Sequence, residues 1–153
     1  MSVYNNITYD IYGDTLNKLI DRSITNVNEN LLNGITTIGK DAFRYCYYLT
    51  NITIPNTVTS IDRDAFYGCS SLTNIIIPAS VSEIAGGAFE NCSRLTSVTI
   101  LATTPPTIGY WTFEDTPIES GTGYIYVPAA SVNAYKESAY WSDYVDQIRA
   151  IPE

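Results

Sequence analysis

The chain of 153 residues has the length of a single domain, and its composition excludes several classes of protein. Apolar residues make up 45% of the chain and charged residues 16%, which is typical of a folded protein rather than a disordered one. Eight basic residues against sixteen acidic ones give a net charge of −8. We expect no nucleic-acid partner, because binding to phosphates needs clustered Lys and Arg. No segment approaches the roughly 20 apolar residues of a membrane span and no signal peptide is visible, so we expect no membrane insertion.

Residues 1–34 are predicted to form an N-terminal cap with a partial repeat. The alternation of apolar and polar residues over 7–11 predicts an edge strand. Asp14 is placed to cap a short helix. The apolar face of that helix would consist of Leu16, Leu19 and Ile20.

Residues 35–128 contain an internal repeat, and its fixed period of about 23 residues is the signature of a repeat architecture. Three clear units begin at Ile35, Val58 and Val81, and a fourth, degenerate unit follows after a slip of one residue. In front of them, "ITNV" has the apolar spacing of "ITTI" and indicates a truncated coil. Each L-x-x-I-x-I segment predicts a short strand, and the I-x-x-x-A-F segment before it predicts a helical or 3-10 turn. One such coil cannot bury its own apolar face, so the coils must stack and form a parallel sheet along one side of a solenoid.

The full pattern of the second unit, "IDRDAFYGCSSLTNIIIP", resembles the BspA-like leucine-rich repeats, also called the Treponema pallidum type, of bacteria and their phages. The resemblance implies an α/β solenoid: a short right-handed coil of about four repeat units over 35–128, with a parallel sheet on one face. An N-terminal strand/helix cap and a C-terminal helical cap over 129–153 would close it. The resemblance also implies recognition and adhesion outside the cell or on its surface, and no shared catalytic residue. Display on a bacterial cell surface or a virion would supply the many copies that a small binding face needs.

The three cysteines, Cys46, Cys69 and Cys92, recur with the repeat and should form a buried structural column. A disulfide framework would favour an even number of cysteines, and a zinc site usually needs four ligands. An adventitious disulfide and a reactive thiol remain as weaker alternatives. We predict no metal site and no cofactor.

Catalysis has little support in the sequence. The chain has no histidine, the commonest general base, and no nucleophile-elbow or phosphate-binding motif. We therefore predict that the protein is not an enzyme and has no catalytic residues.

Outward-facing residues of the predicted strands give the candidate ligand site. They would form two neutral columns across the sheet, which become aromatic toward the C-terminus. The candidates are Asn51, Thr53, Asn74, Ile76, Ser97, Thr99, Tyr124 and Tyr126. The alternative is that Thr and Ile are simply good strand residues at these places. We expect a protein or glycan ligand, bound weakly unless many copies act together, and a homo-oligomer is possible.

Nine of the nineteen aromatic residues lie between Tyr110 and Tyr144. Two helices, starting at Ser131 and Ser142, are predicted in this region. The aromatic residues could form a platform for a glycan or peptide, but we favour the interpretation that they close the end of the core. The predicted members of that plug are Trp111, Phe113, Tyr135, Trp141 and Tyr144.

The sequence therefore predicts a non-enzymatic recognition or adhesion module that binds a protein or glycan through the strand face of a solenoid. Two alternatives remain open. One is a structural or receptor-binding component of a phage or prophage tail. The other is a spacer repeat array within a larger surface protein.

Overall fold

The computed structural model describes the backbone of residues 2–4, 7–19 and 22–153, and the side chains of residues 10–19 and 22–153. The strands are β1 (Ser2–Tyr4), β2 (Ile7–Tyr12), β3 (Thr15–Leu19), β4 (Asn26–Val27), β5 (Thr37–Ile38), β6 (Asn51–Ile52), β7 (Ser60–Ile61), β8 (Asn74–Ile77), β9 (Glu83–Ile84), β10 (Ser97–Ile100), β11 (Thr107–Ile108), β12 (Tyr124–Val127) and β13 (Ile148–Ala150). One α-helix, α1 (Val132–Glu137), lies between two 3-10 turns at Ala129–Ser131 and Ser142–Tyr144. Within the described residues, no helix is long and apolar enough to cross a bilayer.

The coils of the solenoid supply strands to two faces. One face is a seven-stranded sheet in the order β1-β2-β3-β5-β7-β9-β11, in which the first three strands are antiparallel and the rest are parallel. The other face carries the parallel pair β4-β6 and the parallel sheet β8-β10-β12-β13. The parallel-sheet solenoid predicted from the repeat is confirmed. The parallel strands of the seven-stranded sheet were not predicted.

The segment before each repeat phenylalanine forms a two-residue strand and a run of turns, not the helical or 3-10 turn that we predicted. In the second unit, Ser60–Ile61 is the strand. In the turns that follow, Ala65 N donates to Asp62 O within the coil at 3.2 Å, and Phe66 N donates to Ala88 O of the next coil at 2.8 Å. The coil therefore satisfies its backbone groups partly through its neighbours, which an isolated helical turn cannot do.

The interior of the solenoid consists of columns of equivalent residues. Four phenylalanine rings stack nearly parallel, with centroid distances of 5.0, 5.2 and 5.7 Å along Phe43, Phe66, Phe89 and Phe113. All four side chains are fully buried. Each ring thus fills the space between the coils above and below it.

The cysteines line the same interior. All three lie in the described part of the chain, where they are buried thiols that form no disulfide with one another. Cys69 Sγ donates to Phe43 O at 3.2 Å, and Cys92 Sγ donates to Phe66 O at 3.1 Å. The contact with Cys92, together with burial, raises the pKa of the Cys69 thiol well above its ordinary value. The thiol is therefore protonated and unreactive, as expected of a packing residue.

The N-terminal region differs from its prediction in two ways. The segment expected to be a helix after Asp14 is strand β3, which pairs with both β2 and β5. Leu16 and Leu19 are buried, and Ile20, the third predicted face residue, lies outside the described residues. The strand predicted over residues 7–11 is present as Ile7–Tyr12, but it is not at the edge of the sheet, because it pairs with β1 on one side and with β3 on the other.

The truncated coil is present, but its register was misread. Val27 pairs with Ile52 on the second face, whereas the predicted equivalence with Ile38 would place it on the first. The partner of Ile38 on that side is Leu16. The first sheet therefore continues from β5 to β3 toward the N-terminus.

The C-terminal region combines a helix with a further strand. Helix α1 confirms the first predicted helix, although the Ser131 side chain makes no capping bond. The second predicted helix is wrong, because Ser142–Tyr144 is only a 3-10 turn and Ile148 begins strand β13. Ile148 pairs with Ile125, which lies one repeat period earlier, so the last segment completes one more coil.

Aromatic side chains close the C-terminal end of the core. Tyr135 and Trp141 are fully buried, with ring centroids 5.3 Å apart. The Tyr135 hydroxyl donates to Ala102 O, and Trp141 Nε1 donates to Pro106 O, both at 2.8 Å. Tyr144 packs edge-on against Phe113 at 5.4 Å. Trp111, however, is an exception to the predicted plug, because 61% of it is exposed.

The buried tyrosines make stability depend on alkaline pH. Burial raises the pKa of Tyr144 to about 12 and raises that of Tyr135 as well, against an ordinary value of about 10. Because the folded state favours the neutral phenol, this contribution is fully present below pH 10 and is lost as the pH rises through the folded-state pKa. We expect the free energy of unfolding, measured by denaturant titration, to fall between about pH 10 and pH 12. The substitution Tyr144→Phe should reduce that fall, and a phenol at position 144 that ionises near pH 10 by ultraviolet absorbance would contradict the prediction.

Candidate binding surface

The outward-facing residues of the second face form two columns. The register of β8, β10 and β12 places Asn74 beside Ser97 and Ser97 beside Tyr124. The same register forms the second column from Ile76, Thr99 and Tyr126. Asn51 and Thr53 are exposed at β6, the next strand toward the N-terminus. The eight candidate residues therefore lie on one face, and their contact with a ligand stays a prediction.

Ile76 is the apolar centre of this face. It is 56% exposed, while its strand neighbours Ile75 and Ile77 are buried. Leu101, which stands where the first two repeats have proline, is also exposed at 40%. The two side chains help to line a shallow groove of about 200 Å³, which also includes Asn51, Thr53 and Asn74.

The C-terminal end of the face is aromatic. The Tyr124 and Tyr126 rings lie 6.3 Å apart at an angle of 55°. Tyr124 is 37% exposed and Tyr126 is partly buried. They lie on β12, separated by β10 from the strand that carries Ile76, and they give the face both flat ring surfaces and hydroxyl groups for hydrogen bonds.

The face extends beyond the predicted residues at both ends. Asn26 pairs with Asn51, and their side-chain amides are 3.5 Å apart. Arg149 pairs with Tyr126 and holds its guanidinium 4.9 Å from the centre of the Tyr124 ring. The pairing of β13 with β12 continues the repeat period, and that period is the sequence signal that could have identified Arg149. The surface therefore ends in a positive charge, whereas the predicted columns are neutral.

The area of the face limits its affinity. The six strands of this face are two to four residues long, and with about 4.8 Å between strands and about 3.3 Å per residue they give a patch of roughly 300 Å². A stable protein interface takes about 800 Å² from each partner. One copy of this face is therefore too small for tight binding to a protein by itself.

A second concave surface lies on the turns at the C-terminal end. It is a groove of about 620 Å³ that runs between the turn after β11 and the segment around the second 3-10 turn. Tyr110 and Tyr140, two of its lining residues, are 87% and 57% exposed. The sequence interpretation that favoured a core plug therefore holds for the buried aromatic residues named above, while Tyr110, Trp111 and Tyr140 are on the surface.

Known proteins share the repeat and the fold of this chain. The family model described as the BspA type leucine rich repeat region matches residues 20–142, in six copies. Among solved structures, the chain is similar to a leucine-rich repeat protein of T. pallidum, with 20% sequence identity and a TM-score of 0.59. That similarity covers 83% of this chain and 70% of the other, and it shows a shared fold. No curated protein matches the chain.

Proposed function

We propose, from the premise that this chain belongs to the BspA type leucine-rich repeat family, that it is a non-enzymatic recognition module whose strand face binds a protein or a glycan. Repeat families of this kind serve as interaction modules, because a solenoid displays one residue per coil in regular columns. The observation that carries the proposal is the exposure of Ile76 and Leu101 in one groove, on the same face as the aromatic strand β12. Packing within the single chain does not account for these exposed side-chain surfaces.

The proposed ligand contacts are the eight residues predicted from the sequence, joined by Leu101 and Arg149. Polar side chains from Asn51, Asn74 and Ser97 supply hydrogen-bond donors and acceptors along one column. The aromatic end supplies ring faces, on which a sugar or an apolar side chain can stack.

The small area of the face supports display in many copies. Weak binding by each copy becomes useful when several copies engage one target at once. The proposal therefore places the protein on a multivalent object, such as a bacterial cell surface or a virion. A tail component of a phage would satisfy the same requirement.

The test is a binding screen of the multimerised protein against bacterial-surface glycans and extracellular-matrix proteins. The variant Ile76→Asp/Tyr124→Ala/Tyr126→Ala should lose at least tenfold in apparent affinity for any ligand found, because it removes the apolar and aromatic contacts. The control, Glu83→Gln/Thr107→Ala, alters exposed residues paired on the other sheet and should bind like the parent. A folded triple variant that keeps full binding would contradict the proposal.

A further inference from the structure

The strongest unassigned feature is the groove of about 620 Å³ at the C-terminal end of the turns. It lies away from the strand face, so an inference about it does not depend on the function proposed above. Its lining combines exposed aromatic rings with carboxylates. The residues that matter are Tyr110, Trp111, Tyr140, Glu114, Glu119 and Asp143.

Trp111 occupies a backbone conformation that is unfavourable for a bulky side chain. Its φ is +62°, in the left-handed region. The equivalent position of the preceding coil is Gly87, with φ +68°, and that of the coil before is Asp64, with φ +57°. Glycine fits this conformation without a steric penalty and aspartate is tolerated there, whereas a tryptophan is a clear outlier. The side chain gains little burial in return, because it is 61% exposed.

The charges around the groove are all of one sign. Glu114, Glu119 and Asp143 contribute carboxylates, and the lining contains no lysine or arginine. Within the described residues, the only ion pairs are those of Arg44 and Arg63 with Asp41 and Asp64, so none of the three groove carboxylates is neutralised by a cation of the chain. Nearby, burial and then the carboxylates of Asp64 and Glu114 raise the pKa of Glu90. Arg63, which lines an adjoining pocket with Tyr110 and Trp111, is paired with Asp64, so among the described residues it leaves the three groove carboxylates without a partner cation.

Elsewhere in the chain, a similar combination of aromatic rings and carboxylates surrounds a cation. Three coils earlier, the Arg44 guanidinium lies 4.1 Å from the centre of the Tyr67 ring and 4.9 Å from that of Tyr45. It also donates to the carboxylates of Asp41 at 3.1 Å and Asp64 at 3.0 Å. Aromatic faces and carboxylates together thus enclose a cation by cation–π attraction and charge-assisted hydrogen bonds. The C-terminal groove has both kinds of group without the cation.

We propose that this groove is a docking site for a basic segment of a partner protein, whose arginine or lysine side chains enter between Trp111, Tyr110 and Tyr140. The carboxylates of Glu114, Glu119 and Asp143 accept hydrogen bonds from the incoming cation. The complementary charge selects the segment, and the exposed rings supply the contact area. A negatively charged ligand is repelled.

The probe is an acetylated and amidated peptide, Arg-Gly-Arg-Gly-Arg, titrated calorimetrically into the full chain at low ionic strength. The matched peptide replaces each arginine by citrulline, which keeps the shape and removes the charge. We expect the arginine peptide to bind at least tenfold more tightly than the citrulline peptide. Binding of the arginine peptide should also quench the tryptophan fluorescence of the protein. The quenched residue should be Trp111, because Trp141 is fully buried.

Two variants distinguish a groove site from general attraction to an acidic protein. Trp111→Gly, which adopts the residue already accommodated at position 87, should keep the melting temperature and lower the affinity for the arginine peptide at least tenfold. Tyr124→Ala, on the strand face, should change that affinity less than twofold. Loss of binding only with Trp111→Gly supports the groove.

Four results would overturn the proposal. The first is equal affinity of the two peptides, and the second is unchanged affinity of the arginine peptide for Trp111→Gly. The third is tight binding of a neutral oligosaccharide, such as cellohexaose, that is lost in Trp111→Gly. The fourth is self-association of the chain that is lost in Trp111→Gly, together with no binding of the peptide. The third would assign the groove to a sugar, and the fourth to a second copy of the chain. Because the strand-face variants are tested on different ligands, failure here leaves the proposed function standing, and the reverse also holds.

Discussion

Replacing Cys69 by aspartate should unfold the protein. Cys69 is fully buried in the column between Cys46 and Cys92, and its thiol donates to the Phe43 carbonyl. A carboxylate at this site would lose its hydration and face a carbonyl oxygen that it cannot bond to while ionised. Burying such a group costs several kcal/mol, a large share of the roughly 5–15 kcal/mol that holds a typical domain folded.

Circular dichroism and size-exclusion chromatography measure the outcome, and two smaller changes serve as controls. Cys69→Ala should fold with a loss of about 1 kcal/mol, because only a small buried group is removed. Cys69→Ser should also fold, since Thr116 follows Phe113 as Cys69 follows Phe66, and its hydroxyl donates to Phe113 O at 2.6 Å. A soluble, cooperatively folded Cys69→Asp protein would mean that the cysteine column is not the sealed interior described above.

The substitution Phe66→Ala should lower the free energy of unfolding by about 3–5 kcal/mol. Phe66 is an interior member of the ring stack, with Phe43 at 5.0 Å on one side and Phe89 at 5.2 Å on the other. Removing the ring leaves a cavity between two coils, because hydrogen bonds between neighbouring coils keep them from closing over it. The lost stacking on both faces adds to the cost.

Urea titration followed by circular dichroism gives the free energy of unfolding for this comparison. The control is Tyr48→Ala, at a ring that is 62% exposed, which should change stability by no more than about 0.5 kcal/mol. Phe66→Leu should fall between the two, since it fills part of the space. A loss below about 1 kcal/mol for Phe66→Ala would show that the stack contributes little and that the coils relax into the gap.

The repeat allowed the interior to be predicted well, because a strict period puts equivalent residues of successive coils in register. Position within the unit, rather than propensity, decides which side chains are buried. Ile75 and Ile77 are buried and Ile76 is exposed although all three are isoleucine. The outward columns follow from the same register.

The prediction failed where the period was weak or where a pattern was too short to read. Leu16 and Leu19 have a helical spacing, yet they lie on β3, because pairing with β2 and β5 on its two sides outweighs a local preference. Two-residue strands such as Ser60–Ile61 contain no alternation to detect, so the parallel part of the seven-stranded sheet could not be predicted from the sequence.

The candidate site shows the same limit. The Arg149 position needed the recognition that Ile148 continues the period after an interruption by α1. Trp111 was predicted to close the core because aromatic side chains bury large areas, but it occupies the position of Gly87 in its coil and is exposed. Composition shows that aromatic residues are available to close the end of the core, but it does not show which of their rings are buried.

The register between coils also determines how such a chain can change during evolution. Because the columns are indexed by position within the unit, an in-frame duplication of one unit adds one member to every column at once. The phenylalanine stack, the cysteine column and the outward strand face all lengthen together, and no existing contact needs redesign except at the joint. A single-residue insertion is absorbed only in a turn, as at the slip before Trp111, where Trp111 still takes the left-handed conformation of Gly87. The reach of the binding face can therefore be adjusted by copying whole coils, while its chemistry is altered one outward residue at a time.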